Sequence, residues 1–369
     1  MSRWMSMVIF ITIASAIYFG MHYFVYKSLT RSWLQSPGQL RFLKWLFWLS
    51  GFSFIISRLL SGYLGFEMLN HYAFTWMGIM SIAFTFFIVQ RILVLFFSKQ
   101  AKTLTIVTVV LIGAISLYSL INGLQAPRVK KMIVPIKNLP QTLSGFSIVH
   151  LSDLHLEPFK SKGVIFDIIE KVNALNADLI VITGDLIDGG AAQEPLFCEK
   201  LKELQAKHGV IAVTGNHEYY TGLKLFSKLG ECSNFRILRN QSETLPNGLQ
   251  IIGLEDDEGL RSSASSGPDL DKAMAGLDPQ KPTIMLYHRP MLFDEAVAKG
   301  VDLALAGHTH AGQIPPMDLI VWFYYKYPYG LYKKDDSYIY TTAGVGYWGP
   351  AMRFLSSSEI AFIELVPKE

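Results

Sequence analysis

Charge is missing from long parts of this 369-residue chain: residues 4 to 26, 68 to 90 and 103 to 127 carry no ionised side chain, and 45 to 66 carry only Arg58. A soluble domain rarely sustains such runs. Each is long enough to cross a hydrocarbon layer as a helix, which takes about 20 apolar residues. A bilayer also requires the backbone to satisfy its own hydrogen bonds, so helix is the expected form. The reading is a membrane domain over residues 1 to 127 with four transmembrane helices. The first run carries Ala14-Ser15-Ala16, like a signal-peptide cleavage site, but three further spans favour a retained anchor. Arg58 sits toward one end of its run, where a long side chain can snorkel to the polar boundary.

Cysteine is nearly absent. Cys198 and Cys232 make neither a disulfide framework nor a CxxC metal knuckle, so they say little about redox compartment. A net charge of +3 with no polybasic run is too small to argue for a nucleic-acid partner, and none is expected. Internal repeats and low-complexity tracts are lacking too. The Ser-rich stretch 261–269 and the acidic Glu255–Glu258 beside it read as solvated surface. The basic residues that do occur are unevenly placed: Lys27, Arg31, Arg41, Lys44, Arg91, Lys99 and Lys102 fall in the first and third loops, against Arg3, Arg128, Lys130, Lys131 and Lys137 on the other side. Seven against five puts the first and third loops in the cytoplasm and the C-terminal domain outside it, in a multi-pass protein of the cell membrane.

After a linker at 128–140, residues 141–369 take on the texture of an α/β domain. "FSIVHLSD", "DLIVITGD", "GVIAVTGNHE", "TIMLYHRP" and "VDLALAGHTH" are short apolar runs that each end in polar residues. Amphipathic stretches at 163–175, 194–207 and 291–299 read as helices packed on a sheet. Continuous apolar strands imply a sheet buried on both faces. In open α/β sheets, ligands gather beyond the carboxyl ends of the strands. Asp153, His155, Asp185, Asn216, His217, His288, His308 and His310 all fall there. Carboxylates with imidazoles suit zinc, iron or manganese, and the lack of cysteine argues against a structural zinc site. Asp185 is suited to bridging two ions. Glycines 184, 215 and 307 are expected to supply positive backbone dihedrals and close approach. His150, inside a strand, is expected to pack or hydrogen-bond, and Glu218 to orient a ligand.

The set D-x-H (Asp153, His155), G-D (Gly184, Asp185), G-N-H-E (215 to 218), isolated His288 and G-H-x-H (307 to 310) resembles the calcineurin-like metallophosphoesterases. "GHTHAGQ" and "TTAGVGYWGPAMRF" are most similar to a membrane-associated bacterial branch. The resemblance covers about residues 140 to 369 and implies a four-layer α/β/β/α sandwich over a dinuclear centre. It implies that Asp153, His155 and His310 hold one divalent ion and Asn216, His288 and His308 the other, with Asp185 between them. His217 then faces the phosphate as acid or electrostatic stabiliser. The chain departs from the pattern at Tyr287, where serine is usual, and at Ala311, where glycine is common; both bear on substrate shape rather than metal binding.

Two metal ions, of Mn, Fe, Zn or Mg, can turn water into hydroxide near neutral pH and stabilise both oxygens of an in-line displacement, so no protein nucleophile is needed. The expected activity is a membrane-anchored phosphohydrolase cleaving a phosphate ester or pyrophosphate bond, on a lipid-linked substrate. The alternatives are a tethered phosphatase or phosphodiesterase for soluble substrates, and a non-catalytic metal-binding membrane scaffold. A cluster of rings, Trp322 to Tyr325 with Tyr327, Tyr329 and Tyr332, follows GHTH. Aromatic side chains with polar tips favour the headgroup level of a bilayer. The segment is therefore expected either to dip into the interface, with Tyr347 and Trp348 nearby, or to form a buried hairpin.

Overall fold

The computed structural model describes residues 3–34, 36–60, 67–157, 162–188 and 195–368. The chain divides into a helical unit, running through Leu124 and including Ile314–Met317 and Gly349–Leu355, and an α/β unit that holds the rest.

Four helices build the first unit: α1 (Arg3–Ser32), α2 (Pro37–Leu59), α3 (Glu67–Phe96) and α4 (Ala101–Gly123). The start of α2 is written locally. Ser36 accepts a hydrogen bond from the Gln39 amide, and Pro37 takes the first turn, where its missing N–H is no loss. Among the described residues three helical segments, Pro37–Leu59, Met68–Phe96 and Ser98–Gly123, are long and apolar enough to cross a membrane. Four were expected; the span at 4–26 is helical within α1, but several of its side chains, and residues 61–66 of the second, lie outside what is described. Arg58 is exposed in the last turn of α2.

Two segments that the sequence assigned to the C-terminal domain are built into this helical unit. Met352 and Ile314 are buried in one apolar cluster with Phe47, Met80 and Phe87. Ser81 Oγ donates to the Pro315 carbonyl at 2.7 Å, the Arg353 amide donates to Ser119 O at 2.8 Å, and Asn122 Nδ2 donates to Arg353 O at 3.0 Å. Gly123 allows this approach, since a Cβ there would stand 2.6 Å from Ala351 O.

The α/β unit contains β1 (Arg128–Ile136), β2 (Phe146–Leu151), β3 (Leu179–Thr183), β4 (Val210–Val213), β5 (Phe235–Ile237), β6 (Gln241–Thr244), β7 (Gln250–Gly253), β8 (Thr283–Leu286), β9 (Leu303–Ala306), β10 (Gly330–Lys334), β11 (Ser337–Thr341) and β12 (Glu359–Pro367). They form two six-stranded sheets, ordered β1-β12-β2-β3-β4-β5 and β10-β11-β9-β8-β7-β6. Its helices are α5 (Lys162–Asn173), α6 (Pro195–Leu201), α7 (Asn216–Thr221), α8 (Leu223–Ser233), α9 (Glu258–Arg261), α10 (Leu270–Met274), α11 (Phe293–Ala298) and α12 (Met317–Tyr324).

The period of two along each strand explains the layering. Ile148, Val181, Ile211, Ile251, Ile284 and Leu305 point between the sheets into one core. Their neighbours Val149, Ile182 and Ala212 face α5, α6 and α8, while Ile252, Met285 and Ala304 face α10 and α11. Every strand of the centre is thus buried twice, and the α/β/β/α order follows.

Residues 128–140 are not only a linker. β1 pairs in parallel with β12, from Arg128 opposite Glu359 to Ile136 opposite Pro367. Two lysines at its start and a partner more than 200 residues away conceal the strand from a local reading. Cys198 and Cys232, expected to be uninformative, form a disulfide between α6 and α8. Their separation of 34 residues gives no sequence pattern, and the packing of two helices brings them to a Cα distance of 5.7 Å.

Candidate metal centre

The carboxyl ends of β2, β3 and β4 in one sheet and of β8 and β9 in the other carry all eight expected site residues, and the structure brings them together. The loops are laced by backbone hydrogen bonds: Asp153 N donates to Gly184 O (3.1 Å), His155 N to Asp185 O (3.0 Å), and Gly307 N to His288 O (2.9 Å). Asp153, His155, Asp185, His308 and His310 all adopt positive φ, between +47° and +70°. Such conformations cost about 1–3 kcal/mol each and persist where the surroundings over-determine them, as at binding sites. Ala311 shares the left-handed region at φ +52°.

The glycines divide the two expected roles between them. Only Gly184, at φ +86°, supplies a positive dihedral; Gly215 and Gly307 supply room. A Cβ on Gly307 would fall 2.3 Å from Asp153 Oδ2, inside the site itself.

Two sets of donor atoms converge. In one, His155 Nε2 and His310 Nε2 face each other at 3.0 Å, with Asp153 Oδ1 at 3.4 Å from the second. In the other, His288 Nε2 stands 3.1 Å from His308 Nδ1 and 3.2 Å from Asp185 Oδ2. Asp185 Oδ2 also lies 3.8 Å from His155 Nε2 and 3.9 Å from His217 Nε2, so this carboxylate is shared between the sets. Asp153, His155 and His310 form one potential metal-holding group and Asp185, His288 and His308 a second; a third, His155, Asp185 and His217, shares one member with each. Ring nitrogens turned toward one another in a buried site leave lone pairs that a cation would satisfy. Asn216 makes the same point: its Oδ1 is buried with no hydrogen-bond partner, which a native fold tolerates rarely. The residues therefore fit divalent cations.

The surrounding groups fix the ligands. Glu218, fully buried, accepts from the amides of Gly215 (2.7 Å), Asp185 (2.9 Å), Leu186 (2.9 Å) and Ile187 (3.4 Å). It clamps the two loops that carry Asp185 and Asn216, the orienting role expected of it. His288 Nδ1 is directed at Thr183 O (2.7 Å), which turns Nε2 into the site. His150 bonds Thr183 Oγ1 at 2.8 Å within the sheet, and burial lowers its pKa to about 3, as fits a structural imidazole. Burial raises the Asp153 carboxyl, against the pull of His288.

One participant escaped the sequence reading. Asp188 hydrogen-bonds His217 Nδ1 and places Oδ2 3.3 Å from His155 Nδ1. Burial opposes its ionisation, but hydrogen bonds from these two histidines hold the carboxyl far below its usual range. Burial would likewise depress His217; the Asp188 hydrogen bond and the charge of Asp185 outweigh it and lift the imidazole to about 9. His288 is carried up to about 10 in the same way, Asp185 outweighing burial. The available signal was the spacing Gly184-Asp185-Leu186-Ile187-Asp188, three residues beyond a strand-end ligand.

A second correction concerns the acidic run 255–258. Glu255 and Asp256 are buried, not solvated. Asp256 takes a bidentate pair from Arg289 (2.7 and 2.8 Å), and Glu255 pairs with Arg239. Partners supplied from other loops make the burial tolerable, and Arg289 is thereby fixed directly after His288.

The calcineurin-like phosphoesterase family matches residues 146–312. A metallophosphoesterase of Helicobacter pylori is 37% identical over 249 residues, covering 67% of this chain and 66% of that protein. A zebrafish transmembrane protein with a metallophosphoesterase domain is 32% identical over 274 residues, 71% of this chain and 62% of that one. The chain thus spans slightly less than two thirds of both. A metallophosphoesterase of Aquifex aeolicus is 31% identical over 243 residues, covering 65% of this chain and 92% of that protein. With five strand ends delivering the family's residues to one buried cluster, the chain belongs to the calcineurin-like metallophosphoesterases.

Proposed function

We propose that this protein is a membrane-anchored phosphohydrolase that uses two divalent metal ions to cleave a phosphate ester or pyrophosphate bond, on an amphiphilic, lipid-linked substrate. The observation that carries the hydrolase reading is the shared position of Asp185 between two imidazole sets, with the Asn216 oxygen left without a protein partner. Asp153, His155 and His310 would hold one ion, Asn216, His288 and His308 the other, and Asp185 both. When bound, such ions supply a nucleophilic hydroxide near neutral pH and charge to stabilise the phosphoryl oxygens.

The chain's own residues supply the rest. Asp188 engages His217 through Nδ1, so the proton to be moved sits on Nε2, the nitrogen that faces Asp185. As the phosphorus–oxygen bond breaks, Nε2–H protonates the departing oxygen and the added water oxygen stays on phosphorus. Glu218 keeps the 185 and 215 loops from drifting apart as charge redistributes.

Two independent features support one side of the membrane for the catalytic domain. The positive residues favour the first and third loops for the cytoplasm. The Cys198–Cys232 disulfide suits an oxidising compartment for the α/β unit. Both support an extracytoplasmic catalytic domain in a multi-pass protein.

The test is metal analysis of the purified full chain alongside hydrolysis of phosphomonoesters, phosphodiesters, nucleotides and lipid phosphates with Mn, Fe, Zn or Mg added. Two ions per chain and metal-dependent release of phosphate are expected. A metal-loaded protein that hydrolyses nothing in the panel would favour the scaffold reading instead. A C-terminal alkaline phosphatase fusion should be active and a green fluorescent protein fusion dark; the reverse would put the domain in the cytoplasm.

A further inference from the structure

In α12, of the eight residues from Met317 to Tyr324, Val321 is buried and Met317, Leu319, Ile320, Trp322, Phe323 and Tyr324 are exposed. At 100° per residue, Leu319 and Phe323 stand opposite Val321, one turn apart, and Phe323 is 89% exposed. The expected alternatives were an interfacial segment and a buried hairpin. The segment splits: residues 317–324 are the exposed helix, whereas Tyr327 is buried beside Phe293 and Tyr338 lies in the core.

The chain path on either side of α12 indicates what covers that face. Residues Ile314–Met317, which lead into it, pack in the helical unit with the apolar spans. Tyr325, which follows it, sets its ring edge-on to the ligand His308, with centroids 5.9 Å apart. Along the chain, one short helix, about 12 Å long at 1.5 Å per residue, therefore separates a segment of the helical unit from the ring that faces His308. We infer that α12 lies in the surface of the lipid bilayer, with Leu319, Trp322 and Phe323 among the acyl chains, and leads the phosphate of an amphiphilic substrate to His308 and His288. Trp and Tyr suit the headgroup level, and an apolar helix face sinks about 5–10 Å below it. This deepens the proposed function and rests on it for the substrate, though not for the membrane contact.

Both cysteines are already joined, so a single new cysteine can be labelled selectively. Phe323→Cys and, as control, Lys333→Cys on exposed β10 would carry a nitroxide in the full chain reconstituted in phosphatidylcholine and phosphatidylglycerol nanodiscs. Position 323 should relax with oxygen and be shielded from a soluble nickel chelate, while 333 shows the reverse. Equal nickel access at both positions would overturn the inference, as would shielding of 323 from both reagents, which would indicate a protein covering α12. Leu319→Ser/Phe323→Ser should lower kcat/KM for a long-chain lipid phosphate in vesicles about tenfold relative to a short soluble ester. An equal fall on both substrates would show that the helix only supports the fold and would overturn the delivery role. If the wild-type chain hydrolyses no ester, the functional reading fails while the nitroxide result still decides the membrane contact.

Discussion

In α4 the buried face is Thr105, Thr108, Ile112, Ser116, Ser119 and Asn122, while Val110, Leu117 and Ile121 face outward; in β3 of the α/β unit, Leu179, Ile180, Val181 and Ile182 are all sealed inside. The same chain hides mostly small polar side chains on this helix and large apolar ones on that strand. Water explains the second pattern, since removing apolar surface from it drives folding. It does not explain the first. Against lipid, burying leucine gains nothing, and helices associate through close-packing small residues and hydrogen bonds. The Gln90 Nε2 to Thr105 Oγ1 bond at 3.1 Å, between α3 and α4, is of that kind. Helix α12, which belongs to the α/β unit from Asp318 on, likewise turns large apolar side chains outward.

The contrast would break most severely if the two units failed together. Asp185→Asn should remove at least one ion and nearly all hydrolysis while leaving membrane extraction and helix content by circular dichroism unchanged; full activity in this variant would refute the mechanism. Next comes a matched pair of truncations. Ile148→Ala, between the sheets, should cost about 2–5 kcal/mol in unfolding of the α/β unit. Ile121→Ala, on the outward face of α4, should shift thermal unfolding in detergent hardly at all, and a comparable loss at both positions would show that α4 faces protein or water rather than lipid.

His217→Ala should keep its metal and lose about 100-fold in rate if the imidazole is the general acid. A variant that loses the ion instead would reassign His217 as a ligand. The smallest expected effect is a pH dependence confined to the α/β unit. His288, a ligand in the proposed function, is raised to about 10 and so is protonated at pH 7 in the metal-free protein. A proton on a ligand nitrogen competes with the cation, so affinity should rise as pH climbs from 7 toward 9, by about tenfold per unit for each proton displaced. Calorimetry in buffers of different ionisation enthalpy should record proton release on binding, and a pH-independent affinity would mean that the ring already carries no extra proton.

What the sequence settled by itself was whatever is written within a few residues: the uncharged runs that make helices, the apolar strands, and the polar residues just past each strand end. Strand direction and the crevice rule were enough to gather Asp153, His155, Asp185, Asn216, His217, His288, His308 and His310 before any coordinates, because a strand's carboxyl end is fixed by the chain's own polarity. What only tertiary structure decided were pairings between distant segments. Strand β1 exists because Glu359–Pro367 lies beside it. Glu255 and Asp256 are buried because Arg239 and Arg289 arrive from elsewhere. Asp188 matters because His155 and His217 converge on it, and Met352 joins the helical unit because Gly123 leaves room for Ala351. None of these is a property of a local window, since each depends on a partner whose distance along the chain says nothing about its distance in space.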